Sequence, residues 1–262
     1  MASSIFVSFI GSGNLAWHLA PALDNAGFIV KEVHSLNPAH AEELTGRLYQ
    51  AEVKATLDFS TSDSSIFIIA TSDDAIESIA QEIILPEDAF LVHTSGSQPL
   101  SSLQFAATAN TGVLYPLQTF SKIKKVDFKD IPIFIESNNS DTEQVLMLLA
   151  RAISNKVSKI GSEERKALHV AAVFASNFTN HLLTLSKNLL EQNSLSFDLL
   201  KPLILETINK SLAVGPENAQ TGPAKRGDLE ILDKHLEFIK DDAALAEIYK
   251  VLSQHILDRY QE

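Results

Sequence analysis

Apolar and polar positions follow two different rhythms along the chain. Over roughly the first 160 residues, short apolar runs alternate with segments whose apolar residues recur at helical spacing. Residues 5–10 are apolar and lead at once into Gly-Ser-Gly, which predicts a buried strand running into a tight turn. "NLAWHLAPALDNAGF" then has helical spacing and a glycine stop at Gly27, with Pro21 predicting a kink unless it lies near a helix end. A strand over 29–35, a helix over 38–47 and an apolar strand over 66–70 follow. Next come a helix over 73–84, capped by "TSDD", and a strand over 90–93. This alternation implies right-handed crossovers and a parallel sheet. The sheet is expected to continue through 113–115 and 131–135, and a last helix and strand reach Ile160.

From Ser162 the rhythm changes. "SEERKALHVAAVFASNFTNHLLTLSKNLLEQ" is helical for its whole length, and helices over 197–213, 229–239 and 243–260 follow. The boundary is placed near Gly161, giving a dinucleotide-binding domain over 1–160 and a helical substrate and dimerisation domain over 161–262. The fold class is α/β: a Rossmann-type, doubly wound, mostly parallel sheet followed by an all-helical C-terminal domain.

Composition narrows the function. With 45% hydrophobic and 21% charged residues, the 262-residue chain reads as a soluble globular protein with two cores. A net charge of −12 without any acidic block argues against nucleic-acid or anionic-membrane partners. No cysteine is present, which excludes disulfides, thiolate catalysis, iron-sulfur clusters and cysteine zinc sites, and fits the expected cytoplasmic location. "MASSIFVSFIGSG" lacks a basic n-region and its apolar run is too short for a signal peptide or membrane span, so the N-terminus is expected to belong to the fold. The histidines form no HExxH or HxxxH pair, and no metal is expected.

"GSGNLA", Gly11 to Ala16, is a GxGxxA turn placed between a strand and a helix. Gly11 permits the tight turn, Gly13 lets the N–H groups of Ser12, Asn14 and Leu15 approach a pyrophosphate, and small Ala16 lets the helix pack on the sheet. An NAD-selective site places an acid at the end of the second strand, but that strand ends "VHSLNP". Glu32 lies too early and reads as a mid-strand surface residue. The choice tilts to NADP over NAD, with Ser35, Asn37 and His40 left to meet a 2′-phosphate because Leu36 holds the position an arginine would take.

In a doubly wound sheet the ligand lies beyond the carboxyl ends of the strands. Thr71 and Ser72 follow the 66–70 strand. His93, Thr94, Ser95 and Gly96 follow the 90–93 strand, near the expected nicotinamide; a polar turn capping the next helix is the competing reading. Residues 116–119 are candidates to wall the same cleft. On the long helix, Arg165, His169, Ser176, Asn180 and Lys187 fall within roughly 40° of one another. The C-terminal half reads as a solvent stripe. Near its start His169 is the candidate general acid or donor polarising a carbonyl or imine, and Lys166 and Asn177 are candidates to hold a substrate.

"FIGSGNLA", "ATSDDAI", "HTSGS", "LYPLQTF" and "TGPAKRGD" together resemble a two-domain NADP oxidoreductase family, in which a Rossmann-like domain precedes a helical domain of unknown function. The likeness covers nearly the whole chain. It implies kinship with 6-phosphogluconate dehydrogenase and pyrroline-5-carboxylate reductase, hence a homodimer through helical domains that close the active site. The family has no assigned substrate, and its members usually carry an arginine where Leu36 stands. "TGPAKRGD" looks like the counterpart of the Ser-Pro-Gly-Gly-Thr substrate turn of pyrroline-5-carboxylate reductase. By that analogy Thr221 donates a hydroxyl hydrogen bond and Arg226, held by Asp228, clamps a carboxylate or phosphate. A plain loop, with Gly222-Pro223 ending one helix and Asp228 capping the next, explains fewer of these residues. The leading reading is NAD(P)-dependent hydride transfer to or from a small carbonyl, imine or hydroxy acid. The alternatives are a non-catalytic NAD(P)-binding or redox-sensing dimeric module and a scaffold with a vestigial glycine turn.

Overall fold

A computed structural model of the chain describes residues 5–260, so the expectation for the N-terminus lies partly outside the described residues. The chain forms two compact units that divide between Ser176 and Asn177.

The first unit is built on one eight-stranded sheet: β1 (Phe6–Ile10), β2 (Ile29–His34), β3 (Glu52–Lys54), β4 (Ile66–Ile69), β5 (Phe90–His93), β6 (Asn110–Pro116), β7 (Ile133–Ser137) and β8 (Val157–Lys159). The spatial order is β3-β2-β1-β4-β5-β6-β7-β8, with β7 antiparallel to β6 and the other neighbours parallel. The first six strands therefore have Rossmann order. Strand sequence reverses between β1 and β4, so a crevice opens beyond the carboxyl ends of that pair. Helices α1 (Ala16–Asn25), α2 (Pro38–Thr45), α3 (Ile76–Glu82), α4 (Ser140–Ile153) and α5 (Ser162–Ala172) complete the unit.

Burial explains why the inner strands are legible as apolar runs. Ile66 and Ile68 of β4 join one core cluster with α1, α2 and α4, while Phe67 and Ile69 join a second cluster with α3. Both faces of the strand are covered, so no polar alternation survives. The strand β3, Glu-Val-Lys at the sheet edge, has no apolar run and lies outside the elements that the apolar pattern predicts.

Pro21 sits well inside α1 rather than at an end. Lacking an N–H, it leaves the carbonyl of Trp17, four residues back, without its helical donor. The guanidinium of Arg47 donates to that carbonyl instead and keeps the turn satisfied. The "TSDD" cap differs from expectation as well. Ser72 makes no capping side-chain bond, and Asp73 accepts from the Ser97 hydroxyl, which ties the loop after β4 to the loop after β5.

The expected boundary near Gly161 moves because α5 belongs to the first unit. Arg165, expected on a polar stripe, is fully buried. Its guanidinium donates to the carbonyls of Ser95 (2.9 Å) and Gln98 (2.7 Å), to Glu136 Oε2 on β7 (2.7 Å) and, more weakly, to Ser162 Oγ (3.3 Å). A π-helical turn, Val173–Phe178, follows α5. Its wider hydrogen-bond spacing breaks the angular projection that aligned Ser176, Asn180 and Lys187 with Arg165.

The second unit is helical, with α6 (Thr179–Gln192), α7 (Lys201–Val214), α8 (Pro216–Ala219), α9 (Pro223–Arg226), α10 (Leu229–Phe238) and α11 (Ala243–Tyr260). Among its described residues only Ala224, Leu232 and Ile239 are buried apolar side chains. No described helix is long and apolar enough to cross a membrane.

Candidate active site

The glycine turn forms one end of a cleft of about 930 Å³ beyond the carboxyl ends of the strands. Gly11 has φ +109°, and a Cβ there would stand 2.4 Å from the Ala70 carbonyl oxygen, so both conformation and space require glycine. At Gly13 the reason differs. A Cβ would meet nothing nearer than that same oxygen at 3.9 Å, so the missing side chain leaves room for a ligand rather than for protein. The N–H groups of Ser12, Gly13 and Asn14 find no acceptor among the described residues. The first turn of α1 carries no acid. Unpaired donors at a helix N-terminus free of negative charge fit a phosphate.

Of the residues expected to hold a cofactor, Gly11 to Leu15, Ser35, Thr71, Ser72 and Ser95 line this cleft. The Ser12 hydroxyl donates to Ser35 Oγ at 2.9 Å, joining the glycine turn to the end of β2. Three expected contacts lie elsewhere. Ala16, the first residue of α1, is buried in the core. Asn37 caps α2, accepting from the Ala39 N–H at 3.1 Å. His93 is wholly buried below the loop after β5. Ser95, although at the cleft, uses its Oγ to accept from the N–H groups of Ser97 (3.1 Å) and Gln98 (2.9 Å), which is the turn-capping role weighed against ligand binding. Glu32 accepts from Ser8 and Ser62 and pairs with Lys54, so it is engaged within the sheet, away from the cleft.

The other end of the cleft holds His169 from α5 and Tyr115 from β6. Tyr115 Oη lies 3.0 Å from His169 Nδ1, with the rings edge to face. Both pack over Gly96. A Cβ at this position would come within 2.4 Å of His169 Nδ1 and 2.7 Å of Tyr115 Cζ, so the glycine of "HTSGS" makes room for the ring pair. Burial, opposed by the Arg165 charge, raises the Tyr115 phenol above its ordinary pKa and keeps it protonated near neutrality. One tautomer has the phenol donating to Nδ1 and presents the His169 Nε2–H. The other has Nδ1–H donating to the phenolic oxygen and frees the Tyr115 O–H. Either arrangement leaves one donor beyond the pair, and interchange takes up a proton at one end of the pair as the other end releases one.

Tyr115 is not among the site residues expected from the sequence. It stands at the carboxyl end of a strand, the rule that selected Thr71 and His93, but within "LYP" it reads as part of the apolar run. Beneath the pair, His93 Nδ1 accepts from the Ser95 N–H at 3.1 Å. Arg165 fixes the same turn from its carbonyl side, four residues before His169, so one buried cation sets both the turn and the helix that carries the histidine.

Thr221, Arg226 and Asn177 stand on the second unit, where all three are exposed. Gly222, at φ +109°, and left-handed Gly227, at φ +73°, bound the short α9. Asp228 makes no capping side-chain bond to α10, contrary to the simple loop reading. It pairs instead with Arg226, at 3.0 Å from Nε and 2.9 Å from Nη2.

A Rossmann crevice with a donor-rich glycine turn at one end and a proton-bearing ring pair at the other defines the class of nicotinamide-dependent oxidoreductases. A family model described as a domain of unknown function, DUF2520, matches residues 131–256, which begins before β7 and spans the division between the units. A Bacteroides fragilis crystal structure, described as a "putative NADP oxidoreductase", is 39% identical, with 97% of this chain and 98% of that one covered at a TM-score of 0.90. The chain belongs to that family, the two-domain NADP oxidoreductases that its motifs resemble. Two more distant structures share the fold. A reductive aminase from Aspergillus terreus in complex with NADPH and ethyl-5-oxohexanoate is 14% identical, covering 98% of this chain and 95% of its own at a TM-score of 0.73. A pyrroline carboxylate reductase from Plasmodium falciparum with NADP bound is 16% identical, covering 97% and 98% at a TM-score of 0.58. No curated protein matches the sequence.

Proposed function

We propose that this protein transfers a hydride between NADP, or NAD, and a small carbonyl, imine or hydroxy-acid substrate, with His169 and Tyr115 handling the accompanying proton. The carrying observation is that unpaired backbone donors of the glycine turn and the Tyr115–His169 pair line one cleft. When bound, the nicotinamide supplies the hydride chemistry. The chain's own residues do the rest. Ser12, Gly13 and Asn14 donate to the phosphates, Gly96 keeps space for the ring pair, and the pair holds one proton for the substrate oxygen or nitrogen. The NADPH and NADP held by the aminase and reductase of the same fold support the cofactor class. Thr221, Arg226 and Asn177 remain the proposed substrate contacts from the helical unit. Titration with NADPH and NADH, followed by consumption assays on small ketones, cyclic imines and 2-oxoacids, tests the reading. His169→Ala and Tyr115→Phe are expected to keep cofactor affinity and lose turnover. Absence of affinity for either cofactor would refute the proposal, while binding without turnover of any probe would favour the sensing module.

The protein is also proposed to act as a homodimer through the helical unit. Leu205, Ile208 and Leu212 of α7 share one helical face and are 64%, 46% and 82% exposed, an apolar stripe on a unit with few buried side chains. Cytoplasmic location belongs to the same reading. Sedimentation of the wild type against Leu205→Glu/Leu212→Glu tests the dimer, with an unchanged oligomeric state counting against it.

A further inference from the structure

The end of β2 offers little to hold a 2′-phosphate. Leu36 is almost fully exposed, Asn37 is spent on the α2 cap, and Ser35 is already bonded to Ser12. Among the described residues lining the cleft there is one lysine or arginine, Lys122, and it comes from a distant part of the chain, the connection between β6 and β7. This connection crosses α1 and is pinned there. His18 Nε2 lies 2.9 Å from the Ser121 carbonyl oxygen, and the Phe120 ring sits 5.9 Å from the His18 ring and 5.7 Å from that of Phe128. With its backbone fixed so close by, Lys122 reaches between α1 and α2. Its Nζ lies 4.5 Å from the Trp17 ring centroid and 3.3 Å from Glu43 Oε2. Glu43 is about one helical turn beyond His40, which itself lines the cleft.

From this placement we infer that Lys122 is the specificity-determining cation for the 2′-phosphate of NADP, taking from another loop the role that Leu36 vacates at the end of β2. The inference rests on the proposed dinucleotide site. Glu43 holds the ammonium at the rim by an exchangeable surface ion pair, and a phosphate dianion is the stronger partner for a flexible lysine whose side chain is a third exposed. His40, which lines the same cleft, supplies a further hydrogen-bonding group, while NAD, lacking that phosphate, gains nothing from the charge.

Calorimetric titrations of NADP+, NAD+ and 2′,5′-ADP into the wild type, Lys122→Ala and Lys122→Arg provide the test. The alanine variant is expected to weaken NADP+ and 2′,5′-ADP by about tenfold, to leave NAD+ within twofold, and to flatten the salt dependence of NADP+ binding. The arginine variant is expected to restore affinity for both phosphorylated ligands. Retained NAD+ affinity reports an intact fold in the same experiment. An equal loss for NADP+ and NAD+ would overturn the inference by placing the cation on the pyrophosphate, and no loss for either would remove Lys122 from recognition. A wild type that binds neither dinucleotide would instead bring down the proposed function itself.

Discussion

Acidification is expected to destabilise the first unit through His93. This ring is wholly buried beneath the Ser95 turn, with Nδ1 accepting from the Ser95 N–H and Nε2 finding no partner at bonding geometry. Burial, with the Arg165 charge adding to it, holds the imidazole at a pKa of about 4, against 6.5 when free; the Pro99 carbonyl and Asp73 oppose this only partly. Between these two values the unfolded chain binds a proton that the folded one refuses. The stabilisation is therefore complete above about pH 6.5 and is lost as the pH falls towards 4. At 1.36 kcal/mol per pH unit the full loss is about 3 kcal/mol, of which about 2 kcal/mol falls between pH 7 and pH 5. Other groups titrate over the same range, so the measurement is a difference. Urea unfolding of the wild type and His93→Asn, followed by circular dichroism at pH 7 and pH 5, isolates the histidine, because the asparagine oxygen accepts from the Ser95 N–H without ionising. The wild type should lose about 2 kcal/mol more than the variant. Equal losses would refute the claim that His93 is folded in its neutral form.

Gly96→Ala places a Cβ 2.4 Å from His169 Nδ1, so the ring pair must separate. Turnover should fall at least about tenfold with cofactor affinity unchanged, and an alanine enzyme with wild-type turnover would detach the pair from catalysis. Arg165→Met strips Glu136 of its buried partner and frees the Ser95 and Gln98 carbonyls. A loss of about 3–5 kcal/mol is expected in denaturant melts, and a loss below about 1 kcal/mol would show that the clamp is dispensable.

How much of this the sequence disclosed depends on whether the cause was local. Strands covered on both faces, β1 and β4, declare themselves as apolar runs, and the glycine turn follows from position because a strand, a glycine and a helix are contiguous. The edge strand β3 leaves no apolar signal, since pairing on one side suffices to form it. Pro21 reads locally as a kink and is rescued by Arg47, which no helical pattern reveals. Arg165 reads as surface because arginines usually are, and only the converging Ser95, Gln98 and Glu136 make burial tolerable.

The site follows the same division. The missing acid and arginine after β2 are visible in the sequence, whereas Lys122, far along the chain, becomes a candidate only once the loop after β6 is seen to cross α1. Gly96 shows the limit best. Within "HTSGS" it looks like one more turn residue, and no left-handed backbone demands it. What demands it is the volume of two rings brought in by β6 and α5, which meet above the loop from positions 54 residues apart. A glycine that is needed for space rather than for φ carries no local signature, so the residues that converge on it, Tyr115 above all, can be found only after the fold has brought them together.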